Sequence, residues 1–267
     1  MKRYAVIGNP IGHSLSPAMH NAAFKELGVK AAYEALEVER LDRAWEHLRK
    51  TYSGINVTIP HKVEILKYID EREMAVDLIG AVNCVEFGDV VRGYNTDMYG
   101  AVEALKTEVP KLRNKRVLVL GAGGAARAIV YGCLLEGMKV SVLNRTVEKS
   151  DELAMEVEEK LSKRISVVPE ALLDKTDILI NATSVGMAPK VDASPLTSSI
   201  PSNVVVMDIV YNPLETKFLK QARAAGARTI DGAEMFVRQG AESLRIWGYD
   251  PPVDAMRRAV LKALGGR

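Results

Sequence analysis

Lys62 ends the segment NVTIPHK (residues 56–62) and is the side chain best suited to acid–base chemistry in the first part of the chain. A lysine presented where an extended, apolar segment ends can donate a proton to a ketone oxygen while hydride reaches the ketone carbon, and can take it back in reverse. Asp97, in GYNTDMYG, is a candidate partner, and Asn83, in GAVN, is a candidate ligand for a substrate hydroxyl. Ordinary alternatives stay open, since Thr96 or Asp97 could cap a helix and Lys62 could be a surface residue.

Two serines, Ser14 and Ser16, lie two residues apart in the segment GNPIGHSLSPAMHN. In an extended segment their hydroxyls would face the same way, so both could bind one carboxylate or diol. Ser16 is followed by Pro17, which also fits a helix N-cap with proline at the first helical position. Capping does not exclude contact with a ligand, so both interpretations stay open.

Metal and covalent-nucleophile chemistry find no support in the sequence. The four histidines, His13, His20, His47 and His61, show no H-x-x-x-H spacing and no acidic companions at ligand intervals. The chain also lacks the G-x-S-x-G elbow of serine hydrolases. We therefore expect no metal site and favour Lys62 over its neighbour His61 as the reactive group.

The segment GAGGAA, residues 121–126, matches the dinucleotide-binding pattern G-x-G-x-x-A. It stands between the apolar run VLVL and an alanine-rich helical pattern, where such a turn is needed. Gly121 permits the tight turn, Gly123 lets the backbone approach a pyrophosphate, and Ala126 allows close packing of helix on strand. The helix N-terminus then offers N–H groups and a positive dipole end to the phosphates, which predicts a dinucleotide site.

The end of the following strand indicates which dinucleotide binds. NAD enzymes usually place an acidic residue there to bind the ribose 2′-hydroxyl. This chain has Asn144, Arg145 and Thr146, with Lys149 one helical turn further on. Because two cations and a hydroxyl suit a 2′-phosphate and no carboxylate repels it, the segment favours NADP. The alternative is that Arg145 is an ordinary surface charge.

Short β-branched runs alternate with helical patterns over most of the chain, which predicts an α/β fold of two open domains with mainly parallel sheets. Predicted strands lie near residues 3–7, 31–37, 54–58, 82–87, 139–145, 177–183, 204–210 and 227–231, and a strand, glycine turn and helix span 115–137. Predicted helices lie near residues 16–28, 40–50, 61–78, 147–162, 214–225, 233–247 and 252–264.

The last two predicted helices follow Gly232 without a further strand. Their apolar positions would stay bare on a finished dinucleotide domain, so we predict that they fold back onto the first domain. This gives a discontinuous substrate-binding domain of residues 1–100 plus 233–267 and a Rossmann NADP-binding domain of residues 101–232.

The composition restricts the partners and the compartment. A chain of 267 residues suits two domains at roughly 150 residues each. With 26% charged residues and a net charge of +2, there is no strong field to attract nucleic acid or an anionic membrane. Two distant cysteines and a short N-terminal apolar run favour a reducing, cytoplasmic setting without a signal peptide. The oligomeric state stays open, a homodimer included.

Taken together, the motifs resemble one family across nearly the whole chain. They are GNPIGHSLSPAMHN, INVTIPHK, GAVN, GYNTD, GAGGAARA, NRT, NATSVGM, DIVYNPLET and DGAEMFVRQGAESLRIW, in this order. This set resembles the shikimate dehydrogenase family. The resemblance implies an enzyme of aromatic amino-acid biosynthesis that reversibly reduces 3-dehydroshikimate to shikimate with NADPH, and it implies the same two-domain fold.

The resemblance also assigns roles to individual residues of this chain. Lys62 and Asp97 match the family's catalytic pair and also contact substrate. Other positions that match substrate-binding residues are Ser14, Ser16, Thr58, Asn83, Tyr211 and Gln239. Positions that match cofactor-binding residues are Gly121, Ala122, Gly123, Gly124, Ala125, Asn144, Arg145, Thr146, Lys149, Ile209, Gly232 and Met235.

One position departs from the family, and several other functions compete. Ile209 is often methionine in relatives, and its β-branched side chain is expected to change how the nicotinamide ring packs. Some relatives accept quinate, usually with NAD, against which the segment from Asn144 to Thr146 argues. A methylenetetrahydrofolate dehydrogenase would not explain the paired serines. A non-catalytic NADP-binding regulator would not need both Lys62 and Asp97.

Overall fold

The computed structural model describes residues 1–265 of the chain as two compact units. The first comprises Met1–Thr96 and the chain from Val237 onward, and the second comprises Asp97–Phe236. The helices are α1 (Ser16–Glu26), α2 (Leu41–Thr51), α3 (Met74–Ile79), α4 (Thr96–Glu108), α5 (Gly124–Leu135), α6 (Val147–Leu161), α7 (Lys217–Ala224), α8 (Gly232–Ile246) and α9 (Val253–Ala263). Short 3₁₀ helices span Glu64–Tyr68 and Leu173–Lys175.

The first unit is built on one mixed sheet. Its strands are β1 (Lys2–Gly8), β2 (Ala31–Glu37), β3 (Gly54–Val57), β4 (Glu71–Arg72), β5 (Cys84–Glu86) and β6 (Arg92–Tyr94). They lie in the order β2-β1-β3-β5-β6-β4. β1 pairs in parallel with β2 and β3, whereas β5 runs antiparallel to β3 and β6.

The spacing of apolar residues in helix α2 is enough to predict this helix from the sequence. Leu41, Trp45 and Leu48 recur at helical spacing and are buried on one face. They pack in a core that includes Ile55 of β3. The helix predicted near residues 40–50 is therefore confirmed.

The C-terminal part of the chain packs on the same sheet. The ring of Trp247 stacks on Tyr4 of β1, with 4.5 Å between the ring centroids. The indole nitrogen of Trp247 donates a hydrogen bond to the carbonyl of Val85, 3.1 Å away, and α9 packs on α1. The prediction that the C-terminal helices return to the first part of the chain is confirmed.

The second unit is a doubly wound parallel sheet. Its strands are β7 (Arg116–Leu120), β8 (Lys139–Leu143), β9 (Ser166–Val167), β10 (Ile178–Asn181), β11 (Val205–Asp208) and β12 (Arg228–Ile230). The order is β12-β11-β10-β7-β8-β9. The winding reverses between β7 and β10, and in open sheets of this kind ligands bind at the reversal. The predicted fold class is confirmed.

The long helix predicted near residues 61–78 is wrong. That part of the chain forms turns, the 3₁₀ helix Glu64–Tyr68, the strand β4 and the short helix α3. β4 pairs with β6, and a carboxylate oxygen of Asp70 accepts a hydrogen bond from Val91 N, 2.9 Å away. These distant partners satisfy the backbone where a continuous helix would have used local bonds. Helix α4 and strand β9 were not predicted.

Candidate active site

The ends of several strands meet at one edge of the first sheet. β1 and β3 are parallel neighbours with Ile7 opposite Val57, so the loops that follow them leave side by side. β5 runs the other way, and Val57 N donates a hydrogen bond to Asn83 O, 2.9 Å away. Asn83 N in turn donates to Tyr94 O at the end of β6, 3.0 Å away. Residues after β1, β3 and β6 and before β5 therefore share this edge.

Lys62 lies in the loop that follows β3. His61 N donates to Thr58 O at 3.0 Å, which turns the chain, and Lys62 O accepts a hydrogen bond from Val82 N at 2.8 Å. The Thr58 and Lys62 side chains are half-buried. His61 is buried, and its Nε2 lies 2.6 Å from the Val38 carbonyl oxygen. The loop is thus held from inside by its histidine, and the backbone of Lys62 is bonded to the residue just before Asn83.

Asn83, Thr96 and Gln239 form a hydrogen-bonded cluster at this edge. The Asn83 amide donates to Thr96 Oγ1 at 3.0 Å and accepts from Thr96 N at 2.7 Å. Thr96 Oγ1 donates to the Gln239 amide oxygen at 3.3 Å. Thr96 begins α4, so the Asn83 oxygen satisfies an N–H group of that helix. Asp97 follows directly in the first turn of α4.

The two serines do not share an extended segment, because Ser14 follows a turn and Ser16 is the first residue of α1. Ser14 N donates to Ile11 O at 3.0 Å, and Leu15 has φ −86° and ψ −4°. The prediction of an extended segment from Ser14 to Ser16 is therefore wrong. Leu15 rather than Ser16 is the N-cap of α1, and Ser14 Oγ accepts a hydrogen bond from Ser16 N at 3.3 Å. Ser14 is half-buried and Ser16 is buried.

The glycine turn of the second unit follows β7. Gly121 has φ +114°, and a Cβ there would lie 2.9 Å from Thr183 Cγ2, so glycine is required. Gly123, the N-cap of α5, and Gly124, its first residue, are exposed. A Cβ at either would meet no atom of the described protein within 4 Å. Space and N–H groups at the start of α5 therefore suit a pyrophosphate. Ala122 is buried and Ala125 half-buried beside them.

The segment predicted to distinguish NADP from NAD follows the neighbouring strand. β8 ends beside the glycine turn, where Gly121 N donates to Leu143 O at 2.8 Å. The Asn144 amide donates to Thr146 O at 2.8 Å. Thr146 is the N-cap of α6 but makes no side-chain cap hydrogen bond, and Arg145, Thr146 and Lys149 are exposed. A hydroxyl and two cations therefore stand at the position expected for a 2′-phosphate.

The remaining predicted cofactor residues lie around the start of α8. A Cβ at Gly232 would lie 2.6 Å from Ile209 O, so the backbones of these two residues are in close contact. Met235 is buried in the first turn of the helix, and the Tyr211 ring stacks on Phe236 with 4.8 Å between centroids. Tyr211 and Asp97 belong to the second unit, whereas the other predicted substrate residues belong to the first.

Asp208, which was not predicted, is a buried carboxylate at the end of β11. Its oxygens accept hydrogen bonds from the Asn181 amide at 2.9 Å, Val210 N at 3.0 Å and Thr216 Oγ1 at 2.7 Å. Asn181 Oδ1 also accepts a hydrogen bond from Thr183 Oγ1 at 2.7 Å. Asp208 thus joins the loop of Thr183, which touches the glycine turn, to the loop of Ile209 and Tyr211. Burial raises its pKa from 3.8 to about 6.

The stability of the protein is expected to depend on this carboxylate between pH 4 and 6. A raised pKa means that the folded state holds the proton more tightly, so stability falls as pH rises from about 4 through about 6. The difference corresponds to about 3 kcal/mol. Urea unfolding across this range should show that component in the parent chain and not in Asp208→Asn. Asp192→Asn, at an exposed aspartate, should keep it. Parallel curves for parent and Asp208→Asn would contradict the assignment.

Metal-binding clusters and membrane-spanning helices are both missing from the described part of the chain. Across residues 1–265, no group of three or more His, Cys, Asp or Glu side chains is placed to hold a metal ion. No helix in the same range is long and apolar enough to cross a membrane.

The strand order of the second unit and its glycine turn define the class of Rossmann-fold, dinucleotide-binding proteins. Three family models match the chain: the shikimate dehydrogenase substrate binding domain over residues 6–85, shikimate / quinate 5-dehydrogenase over 103–217, and the shikimate 5′-dehydrogenase C-terminal domain over 232–261. The chain belongs to the shikimate dehydrogenase family, as the sequence motifs predicted.

Individual relatives agree over almost the full length. A shikimate dehydrogenase (NADP(+)) of Methanocaldococcus jannaschii is 42% identical over 272 residues, which cover 97% of this chain and 96% of the relative. The corresponding protein of Bacillus cytotoxicus is 45% identical over 98% of this chain and 99% of its own. The crystal structure of shikimate 5-dehydrogenase from Thermus thermophilus, in complex with NADP(H) and shikimate, superposes with a TM-score of 0.91. It is 38% identical and covers 98% of this chain and 100% of its own.

Proposed function

We propose that this chain is an NADP-dependent shikimate dehydrogenase, which reversibly reduces 3-dehydroshikimate to shikimate in aromatic amino-acid biosynthesis. The structural observation that best supports this activity is the cluster of Asn83, Thr96 and Gln239 beside the loop of Lys62. The buried amide of Asn83 and the half-buried amide of Gln239 are both hydrogen-bonded to Thr96, so they present fixed donors and acceptors, which suit a small acid with several hydroxyls. The relatives named above bear the same activity in their names.

The two units have different tasks in this proposal. The first unit, Met1–Thr96 and the chain from Val237 onward, binds substrate, and the second unit, Asp97–Phe236, binds NADP. In the first unit, the substrate's hydroxyls and carboxylate are bound by Ser14, Ser16, Thr58, Asn83 and Gln239. Tyr211 and Asp97 contribute to substrate binding from the second.

Lys62 is the proposed proton-transfer residue, with Asp97 as its partner. When bound, NADPH supplies the hydride that reaches the carbonyl carbon of 3-dehydroshikimate. Lys62 gives a proton from Nζ to the carbonyl oxygen, so the ketone becomes the hydroxyl of shikimate. In the reverse reaction Lys62 accepts that proton. The carboxylate of Asp97 accepts a hydrogen bond from a neighbouring hydroxyl of the substrate, which keeps the carbonyl oxygen within reach of Lys62.

The cofactor is held by the glycine turn and by the start of α6. N–H groups from Gly123 to Ala125 bind the pyrophosphate, and Asn144, Arg145, Thr146 and Lys149 bind the adenosine end with its 2′-phosphate. Ile209, Gly232 and Met235 surround the nicotinamide. The open space over Gly123 and the exposed cations at the end of β8 support this fit.

Replacing Arg145 with alanine should weaken NADP while sparing NAD. A charge-assisted hydrogen bond to the 2′-phosphate contributes about 1.5 to 3 kcal/mol, so the Kd for NADP should rise roughly 10- to 150-fold. Titration calorimetry with each cofactor measures this directly. Arg164→Ala, at an exposed arginine beyond the far end of α6, is the matched control and should change neither Kd. Equal losses for NADP and NAD would refute the role of Arg145 in selectivity.

The activity itself is tested by following NADPH absorbance with the purified protein. Shikimate with NADP should give steady formation of NADPH, and quinate or NAD should give much lower kcat/KM. Binding of NADP without turnover of shikimate would favour a non-catalytic regulator. Equal rates with quinate would favour an enzyme of broader scope.

The setting of the enzyme is part of the proposal. We place it in the cytoplasm, because both cysteines are free and buried and the charge balance favours neither membranes nor nucleic acids. A homodimer is compatible with this function, and sedimentation equilibrium at several concentrations determines the oligomeric state.

A further inference from the structure

Asn56, in the middle of β3, is a polar residue in a strand whose other members are glycine, isoleucine and valine. All of β3 is buried, and Asn56 is 6% exposed. Burying an amide is costly unless it is hydrogen-bonded, so an apolar residue would be the ordinary choice in such a strand. Asn56 has no part in the proposed proton and hydride transfer.

The amide of Asn56 is bonded in three directions. Its oxygen accepts from the Tyr33 hydroxyl at 2.7 Å. Its nitrogen donates to Asn83 O at 3.1 Å and to Ser243 Oγ at 2.8 Å. A carbonyl can only accept, so Asn83 O fixes which end of the Asn56 amide carries nitrogen. Tyr33 must then donate, and burial raises its pKa and keeps the hydroxyl protonated.

Ser243 extends these bonds to the substrate-binding amides. Its hydroxyl donates to Gln239 O, one turn earlier in α8, at 3.1 Å. Gln239 is the residue whose side chain accepts from Thr96, which is bonded to Asn83. Asn56 therefore reaches Asn83 directly through its main chain and Gln239 through Ser243.

Tyr33 links the same chain of bonds to α1. Its ring stacks on His20 with 4.1 Å between centroids and 7° between planes. His20 Nδ1 lies 2.9 Å from Ser16 O, so it donates to that carbonyl. Burial lowers the pKa of His20 to about 4, which keeps the ring neutral. Ser16, Asn83 and Gln239 come from separate elements, and the buried groups between them connect all three.

We propose that Tyr33, Asn56 and Ser243 form a buried positioning chain that holds Asn83 and Gln239 in the orientation required to bind substrate. The proposal rests on the proposed function, because these two amides are its substrate ligands. Amides that are already fixed lose less conformational entropy when substrate binds. The residues of the positioning chain thus favour substrate affinity without touching substrate or cofactor.

The test uses small deletions within the full-length protein. Ser243→Ala and Tyr33→Phe each remove one hydroxyl, and each should raise the KM for shikimate about tenfold. The KM for NADP should change less than about twofold, since the cofactor ligands are elsewhere. Tyr4→Phe is the matched control, because Tyr4 is equally buried in the same unit and its hydroxyl bonds to Tyr249, away from the positioning chain. It should leave both KM values unchanged.

A double substitution distinguishes loss of Gln239 positioning from a general destabilisation of the first unit. Adding Ser243→Ala to Gln239→Ala should raise the KM for shikimate no more than about twofold beyond Gln239→Ala alone, because Ser243 acts through Gln239. Losses that multiply would overturn the proposal. So would a shikimate KM that stays within twofold in Ser243→Ala and Tyr33→Phe, or equal rises in both KM values.

Failure of the positioning chain can be distinguished from failure of the proposed function. If the parent protein turns over shikimate but the variants bind it normally, only the positioning chain is refuted. If the parent does not turn over shikimate, crystal structures of the parent and Ser243→Ala decide the matter. A displaced Gln239 amide in Ser243→Ala supports the positioning chain, and an unchanged one overturns it.

Discussion

Replacing Lys62 with alanine is expected to lower turnover of shikimate by about 10² to 10⁴-fold, or roughly 3 to 5 kcal/mol of barrier. The ketone oxygen gains negative charge as hydride arrives, and without Lys62 it would have to take its proton from water. Lys62 stands half-buried in a loop held by Val82 N and by the buried His61, so its backbone is placed independently of its side chain. We therefore expect the substitution to leave the fold intact.

One companion variant separates proton transfer from charge, and a second serves as a control. Lys62→Arg keeps the cation, but arginine does not release its proton at any working pH. If Lys62 transfers the proton, Lys62→Arg should be nearly as slow as Lys62→Ala; if it mainly holds substrate, Lys62→Arg should recover much of the turnover. Lys67→Ala, at an exposed lysine of the adjacent 3₁₀ helix, should behave as the parent protein.

Steady-state kinetics with saturating NADP measures kcat and the KM for shikimate in all of these variants. The KM for shikimate should change much less than kcat in Lys62→Ala, because several amides and hydroxyls share the binding. Near-normal turnover by the Lys62→Ala enzyme would remove Lys62 from the catalytic role.

The region around Lys62 also shows where prediction from sequence ends. Residues 61–78 contain enough helix-forming residues to suggest one helix, but the chain there folds by contacts with distant strands. A Cβ at Gly93 would lie 2.9 Å from Ile69, so β6 packs tightly on this segment. Such contacts have no local signature, whereas α2 is set by its own buried stripe and was predicted within one residue at each end.

Some residues of the candidate site could likewise be predicted from local sequence, and others could not. The turn at Gly121 depends on a few consecutive residues and could be located from spacing alone. Gln239 was assigned only through the family resemblance, because tertiary packing of α8 brings it to Thr96. Asp208 and Asn56 were missed, although each left a signal. A carboxylate within VVVMDIV or an amide within GINVT is a polar group in an apolar run, and such a residue needs buried partners.

Gly123→Ala is expected to raise the Kd for NADP by roughly 10²-fold or more while the protein stays folded. A Cβ at Gly123 would meet no atom of the described protein within 4 Å, and its φ of −83° with ψ of −172° is open to any residue. The protein itself therefore tolerates the methyl group. The pyrophosphate does not, because it needs to approach the backbone at this glycine to accept hydrogen bonds from the start of α5.

The loss is large because more than one charge-assisted hydrogen bond lengthens at once, each contributing about 1.5 to 3 kcal/mol. NADP and NAD share the pyrophosphate, so both should weaken equally, in contrast to Arg145→Ala. The melting temperature should be nearly unchanged, because two small effects oppose each other. Replacing glycine lowers the conformational entropy of the unfolded chain, which stabilises the fold, and alanine is a weaker N-cap than glycine, which destabilises it. Gly88→Ala, at an exposed glycine of the first unit, controls for the added methyl group and should leave both Kd values unaffected. If calorimetry shows normal NADP binding by Gly123→Ala, the phosphates do not lie over this turn. If binding is lost and the melting temperature is unchanged, the added methyl group clashes with the ligand and not with the protein.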